Sequence, residues 1–390
     1  MQKSSILLPA LLGLTGCFKD TQGSADASAS STASEGSSTD TTSAPTTGED
    51  SDAGTDGATG GGDTTTGAPC PGVAQSLPPA RPGVMFVLDR SGSMILPWDD
   101  DGDVATPEVT RWSSLHAALA TTLTTHEDRV AFGVATSPGQ KATAQYSEAA
   151  CVVANKAEVS LAPDNASTIL DKLPAADDDT LAGADPIAAT LSNALAELES
   201  VHPALPRRIV LISNGLPQCH AGATAAELFE VYDADAPVVA AEALAAGVPV
   251  HVLGLGLTDQ TTPIAQDGVP DSVGYFAKYD ELAMAGGTAP FVNATTGAAL
   301  PAALAEVLEA ALTGVDPCVV PLDVAATEPG QAIAEIDGEP LARVEDCLVD
   351  SGWHFVGAAP HAAIELCGAA CEALKTAGAV DVFYCEGAPD

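Results

Sequence analysis

The chain is short of positive charge. Its 390 residues hold 14 Lys plus Arg against 53 Asp plus Glu, a formal net charge of −39. A protein that grips nucleic acid needs a basic face to neutralise phosphates, and so few cations do not build one. Nucleic acid is therefore excluded as a partner. The same shortage excludes a surface drawn to anionic lipid head groups. No apolar run reaches the roughly 18 residues that a membrane-spanning helix needs. Neither Cys-x-x-Cys nor His-x-x-x-His occurs, so a zinc site is not expected. Gly-x-Ser-x-Gly, the elbow that presents a hydrolase nucleophile, is missing too. With no other nucleophile and base in view, the chain reads as a binding protein and not as an enzyme. What is plentiful is apolar: 46% of the residues are hydrophobic, enough to bury a core.

The N-terminus points to export. Lys3 precedes an apolar stretch over 6–14 that contains Pro9. It is too short to span a bilayer but suits the h-region of a secretory signal. It runs into Leu14-Thr15-Gly16-Cys17. That tetrapeptide resembles the lipobox of bacterial lipoproteins. The resemblance implies a signal over 1–17, cut so that a lipidated Cys17 becomes the first residue. Several acyl chains give a lasting anchor where one does not. Phe18, not Asp, follows Cys17. In the lipoprotein pattern Asp there favours the inner membrane, so the resemblance implies an outer-membrane lipoprotein of the cell envelope, facing periplasm or exterior. Contact with the membrane would be through the lipid alone. Residues 18–80 then read as a disordered tether. Ser, Thr, Gly and Asp dominate it, and no Ile, Leu, Val or Met occurs between Lys19 and Val73. A coil over 18–69 has an r.m.s. reach of roughly 40 Å.

Nine Cys occur in the chain. With Cys17 set aside for lipid, Cys70, Cys151, Cys219, Cys318, Cys347, Cys367, Cys371 and Cys385 remain. In an exported protein that even number reads as up to four disulfides, whose pairing the sequence leaves open. Cys367 and Cys371 fall in a stretch over 363–377 that reads as one helix, where they share a face but are poorly placed to bond each other.

From residue 81 to 315, continuous apolar runs alternate with helical patterns. Val84-Met85-Phe86-Val87-Leu88, residues 130–134, Ile209-Val210-Leu211-Ile212 and 248–257 read as buried strands, and 157–161 as an edge strand. Trp112, Leu115, Leu119 and Leu123 fall on one helical face. Asn165 is placed to cap a short helix over 169–173, and Asp185-Pro186 to open another. The fold class is therefore α/β: a doubly wound, mostly parallel sheet covered on both faces. Ligands on such a sheet bind outside the carboxyl ends of its strands. Residues 316–390 read as a small disulfide-rich α+β unit. A hairpin turns at Asp337-Gly338, with strands at 353–356 and 380–384. Trp112 and Trp353 read as core.

The chemistry concentrates at Asp89-Arg90-Ser91-Gly92-Ser93, where the first buried strand ends. A hard cation such as Mg2+ wants an octahedron of oxygens. One carboxylate and two hydroxyls from a single turn supply one side of it and leave the other open. Here the chain resembles the von Willebrand factor type A domain, over about 82–314. The resemblance rests on Val-Leu-Asp-Arg-Ser-Gly-Ser-Met at 87–94, Gly-Ala-Asp-Pro-Ile at 183–187, Ile-Val-Leu-Ile-Ser-Asn-Gly at 209–215 and Val-His-Val-Leu-Gly-Leu-Gly at 250–256. It implies a Rossmann-like fold with a metal-ion-dependent adhesion site: Asp89, Ser91 and Ser93, with a residue from each of two further loops, around Mg2+, or else Mn2+ or Ca2+. Two positions depart from the family pattern. Asp185 stands where the second loop usually has Thr, and Asn214 where the third usually has Asp. Two carboxylates remain in either version. Asp185 thus either completes a rearranged site or survives only as a helix N-cap beside a decayed one; Thr180 is a weaker substitute. The resemblance implies adhesion by cation bridging to an Asp or Glu of a protein partner. The rival reading is a metal-independent scaffold or accessory subunit of an envelope complex. The acidic run at 99–103 reads as a solvated loop, since an EF-hand register would place Pro97 first. His202 and His220 read as surface residues.

Lipidation is directly testable. Cys17→Ala should leave the precursor uncut at the lipobox and without acyl label in metabolic labelling; normal acylation and membrane fractionation of the variant would refute it.

Overall fold

The computed structural model describes residues 72–98, 103, 105, 109–201, 205–225, 227–288, 290–327 and 332–385. Residues 1–71, with the expected signal and lipobox, Cys17, Cys70 and most of the expected tether, lie outside the described residues, as do residues 99–102 of the acidic run, His202 and the side chain of Cys385.

In chain order, β1 (Gly72–Leu77) precedes β2 (Gly83–Asp89), and a small ribbon of β3 (Pro97–Trp98) and β4 (Val109–Thr110) leads into α1 (Arg111–His126). Then come β5 (Ala131–Ser137), β6 (Val159–Ala162), α2 (Ala166–Lys172), α3 (Ile187–Glu199), β7 (Arg207–Ser213), the single turn α4 (Glu227–Glu230) and α5 (Asp235–Ala245). β8 (Val250–Leu255), α6 (Tyr275–Ala285), β9 (Val292–Ala294) and α7 (Leu300–Leu312) complete the larger part. The remainder holds β10 (Val319–Ala326), β11 (Ile333–Ile336), β12 (Glu339–Pro340), β13 (Gly352–Val356), β14 (His361–Cys367), α8 (Ala369–Ala377) and β15 (Val380–Cys385).

Six strands form one sheet in the order β6-β5-β2-β7-β8-β9. All neighbours pair in parallel except β6, which lies antiparallel to β5 at the edge. β2 is central, and every one of its residues is buried. Its side chains alternate between two cores, as the period of a strand requires. Val84, Phe86 and Leu88 face one core with Trp112, Leu115 and Leu119 of α1, Ile169 of α2 and Leu304 and Leu308 of α7. Met85 and Val87 face the other with Ile187 and Leu191 of α3, Val239 of α5 and Leu282 of α6. Helices cover both faces, which is why β2 carries no polar residue before its last. α1 starts where Thr110 accepts a hydrogen bond from the Ser113 amide at 3.0 Å, an N-cap that satisfies a free amide of the first turn. Among the described residues no helix is long and apolar enough to cross a membrane.

Asn165 departs from its expected role. It sits at the start of α2 but makes no capping bond; its amide donates instead to the backbone oxygens of Phe132 and Ser160, both at 3.1 Å. Those carbonyls lie where the antiparallel register of β5 and β6 shifts, and filling a broken ladder takes precedence over capping.

The C-terminal part has a core of its own, built by two sheets, β1-β15-β11-β12 and β10-β14-β13. Trp353, Phe355, Ile364, Leu366, Leu374, Val380, Val382 and Tyr384 fill it. The expected hairpin is present: Ile336 pairs with Glu339, and Asp337 and Gly338 both take positive φ, 53° and 79°, as a two-residue type I′ turn requires. Cys318 bonds Cys371, and Cys347 bonds Cys367. Cys367 and Cys371 are thus not joined to each other.

Two expectations fail here. The stretch expected as tether to residue 80 holds a strand over 72–77, β1, paired along its length with β15. Leu77 is 3% exposed within the C-terminal core. At the inward position before it, Gln75 receives a 2.7 Å bond from the Asp323 amide and donates to the Tyr384 hydroxyl and the Val324 oxygen. A fully bonded glutamine can be buried, but in sequence it hides the strand. The stretch 363–377 is not one helix either. Its first part belongs to β14, the central strand of its sheet, and Gly368, at φ 55° and ψ −122°, turns the chain into α8. Only glycine takes that conformation without strain. The need to pair β14 on both edges overrides the helical preference of its alanines.

Leu77→Ala tests the correction. A residue of the C-terminal core should cost about 2–5 kcal/mol in denaturant unfolding, whereas a tether residue would cost nothing measurable.

Candidate metal site

Three loops meet at the carboxyl ends of β2 and β7. These strands are adjacent and parallel, with Leu88 beside Ile212, so the turn after Asp89 and the turn after Ser213 share one end of the sheet. The first turn continues into a short 3-10 helix, Gly92–Ile95. The second loop, 183–186, is held between the others. The Gly92 amide donates to the Gly183 oxygen at 3.0 Å, the Ala184 amide to the Ala150 oxygen at 3.0 Å, and the Gln218 amide to the Asp185 oxygen at 2.9 Å. The Cys151–Cys219 disulfide joins the segments that hold this loop from either side.

All five residues singled out in the sequence converge here. Asp89 is 1% exposed. Its Oδ1 accepts from the Ser91 amide at 2.8 Å. Its Oδ2 accepts from the Ser213 hydroxyl and the Asn214 amide, each at 2.9 Å. The Ser91 and Ser93 hydroxyls lie 2.8 Å apart, and Ser93 donates to Asn214 Oδ1 at 3.0 Å. Side-chain oxygens from all three loops are therefore gathered in one place, and the residue types are the hard oxygen donors that a small divalent cation takes.

Asp185 is the unusual member. It is 7% exposed, and its Oδ1 is buried with no hydrogen-bond partner. It does not cap α3, whose N-cap is Pro186 with no side-chain bond, so the alternative that kept Asp185 only as a cap fails. The reason is steric. The carboxylate packs against the backbone of Gly215, where a Cβ would collide with it, and so points toward the sheet's end. Burial, then the like charge of Asp89, raise its pKa well above the ordinary carboxylate range; the Ser91 hydroxyl works the other way. An orphaned buried carboxylate oxygen beside a second carboxylate is what a cation would satisfy, and in this respect the residues fit a divalent ion. Thr180 is not part of the cluster; it is exposed and bonded to Asp178.

Several residues at the site carry no sequence signal. Tyr279 of α6 donates to the Gly215 oxygen at 2.7 Å and bolts the third loop to the helix. Burial raises the Tyr279 pKa well above its usual value, with Asp89 and Asp185 adding to the effect and Ser213 opposing it. Tyr275 is pushed up to about 12 by burial and then by Asp185. Arg111, at the start of α1, donates to the Ser93 oxygen at 3.2 Å. Burial lowers its pKa while nearby Asp89 raises it. Only Ser213, directly before Asn214, could have been suspected from its neighbours.

No family model matches the chain, and no curated protein matches it in sequence. It is similar in structure to the pilus adhesin SpaC from Lactobacillus rhamnosus GG, at 12% identity and a TM-score of 0.44, over 80% of this chain and 41% of the adhesin. It is also similar to an aerotolerance-related membrane protein from Bacteroides fragilis, at 18% identity and a TM-score of 0.38, over 59% of this chain and 99% of that one. A third is the PilB minor pilin from Streptococcus sanguinis, at 16% identity and a TM-score of 0.39, over 60% and 61% of the two chains. The chain thus spans about two fifths of the SpaC length. Likeness this distant carries no argument about function.

The raised pKa of Asp185 has a definite sign. The folded chain holds a proton that the unfolded chain has already lost, so stability falls as pH rises from the unfolded carboxylate value toward the raised folded value. In chelator, urea unfolding between about pH 4 and pH 8 should show that decline, and Asp185→Asn should flatten it and raise stability at neutral pH. A slope unchanged by the substitution would contradict the burial argument.

Proposed function

We propose that the chain is a lipid-anchored adhesion protein of the cell envelope, built on a von Willebrand factor type A domain that binds a protein partner through a divalent cation. The observation that carries this reading is the convergence of Asp89, Ser91, Ser93, Asp185 and Asn214 at the end of the sheet, with one Asp185 oxygen buried and unpartnered. Asp185 supplies the carboxylate that the third loop lacks, so the set keeps two acids. Mg2+ suits the all-oxygen donors best, with Mn2+ and Ca2+ as alternatives.

When bound, the ion supplies a local positive charge that the chain otherwise lacks. Asp89 and Asp185 balance that charge, and Ser91, Ser93 and Asn214 orient around it. A carboxylate of the partner would complete the shell. This explains how a chain of net charge −39 can hold an acidic group: the cation removes the local repulsion. The lipobox at residues 14–17 and the Ser/Thr/Gly-rich stretch behind it support outer-membrane anchoring on a tether.

Titration calorimetry with Mg2+ and Mn2+ tests the site. The wild type should bind, Asp185→Ala should abolish binding, and Asp185→Thr should weaken it by leaving Asp89 as the only acid. Adding Asn214→Asp to Asp185→Thr should restore affinity by recreating the usual family arrangement. Absence of wild-type binding at millimolar ion would displace this reading in favour of a metal-independent scaffold. Capture of an envelope partner should be lost in chelator and regained with Mg2+.

A further inference from the structure

Another cluster of ligand-type side chains lies in the C-terminal part. β13 and β14 pair so that His354 stands directly opposite Glu365, and the imidazole Nε2 meets Glu365 Oε2 at 2.9 Å. Cys367 is two residues further along β14, on the same face of the strand. Cys347 reaches over that face from the loop between β12 and β13 and is bonded to Cys367. One ligand atom from each of Cys347, His354 and Cys367 lies within 4.8 Å of the others.

Three features mark this disulfide among those of the described residues. It has the shortest span, 20 residues against 53 and 68, so it restricts the unfolded chain least and contributes the least stability. Its Cys347 sulfur belongs to a surface loop, where neighbouring Leu348 and Val349 are 94% and 77% exposed. An imidazole stands beside it, and a carboxylate orients that imidazole. Two thiolates and a neutral imidazole are a donor set for zinc, with a fourth position for water or a carboxylate. A metal-binding histidine ordinarily gives its other nitrogen to a carboxylate, the role Glu365 fills. Two thiolates also neutralise a divalent ion, so the closed site would carry no net charge.

We propose that Cys347, His354 and Cys367 form a zinc site that the oxidised chain stores as a disulfide and that a dithiol reductant opens. A thiolate of the reductant attacks one sulfur and the S–S bond breaks. After the second exchange the chain holds two thiols and the reductant has become its own disulfide. Zn2+ then replaces one proton on each thiol, forming two Zn–S bonds, and His354 ligates through nitrogen without losing a proton. The site is independent of the adhesion reading, since it shares no residue with the oxygen cluster.

The test uses the full mature chain and limiting trialkylphosphine, which reduces a disulfide to two thiols while taking oxygen from water, and which avoids a dithiol that would itself chelate zinc. Alkylation followed by peptide mass analysis identifies the thiols. Cys347 and Cys367 should label first, with the circular dichroism of the folded chain retained. One equivalent of Zn2+ should slow that labelling by at least about tenfold. His354→Ala should remove the protection while the same disulfide still opens first. Glu365→Gln should weaken zinc binding by about 10–100-fold. Earlier opening of any other disulfide, loss of the fold at this first reduction, labelling unaffected by Zn2+, or protection that survives in His354→Ala would each overturn the proposal.

Discussion

Asp89 and Asp185 face each other at the end of the large sheet, both almost out of reach of water, and much of the surrounding structure manages that repulsion. Two like charges in a medium of low polarity cannot both stay ionised without help. Asp89 receives that help from the chain: two backbone amides and one hydroxyl donate to it. Asp185 receives less, keeps an oxygen without a partner, and answers by holding its proton more tightly. The difference between the two acids follows from the loops they sit on. Asp89 ends a strand whose neighbour's turn points amides at it, while Asp185 is wedged between loops against a glycine.

That wedge explains the cross-braces near it. The Cys151–Cys219 bridge, the Ala184–Ala150 and Gln218–Asp185 backbone bonds and the Tyr279 hydroxyl on Gly215 all restrain segments that could otherwise separate the two acids. A buried carboxyl without a full set of partners persists only where its surroundings leave it no room to turn outward.

Much of this could be read before any coordinates. β2, β5, β7 and β8 are legible because burial on both faces makes them mostly apolar runs, and Asp-x-Ser-x-Ser is legible because its members share one turn. The parts that stayed hidden depend on distant partners. β1 is masked by Gln75, polar at a buried position and satisfied only by Asp323, Val324 and Tyr384 far along the chain. The stretch 363–377 is rich in helix-favouring alanine, and its first part takes strand form in β14 because β10 and β13 flank it. Asn165 reads as a cap until a broken ladder supplies better acceptors. Local spacing argues against zinc, yet Cys347, His354 and Cys367 meet through strand pairing, which spacing rules do not see. Which acid would be the orphan depends on where the Asp185 side chain turns beside Gly215, and the sequence carries no trace of that.

The placement of β1 has a mechanical consequence. Covalently, the stretch ahead of Gly72 reaches the strand that bears Asp89 only by passing through β1 and the few residues after it. A pull entering from that stretch and resisted at Asp89 therefore loads β1 along its own axis, against a ladder that runs from Gly72 opposite Cys385 to Leu77 opposite Val380. Sliding a strand lengthwise breaks its cross-links together, whereas lifting it from one end breaks them one at a time. The C-terminal part thus sits on the load line: tension reaches the large sheet only through a strand paired and packed within that part.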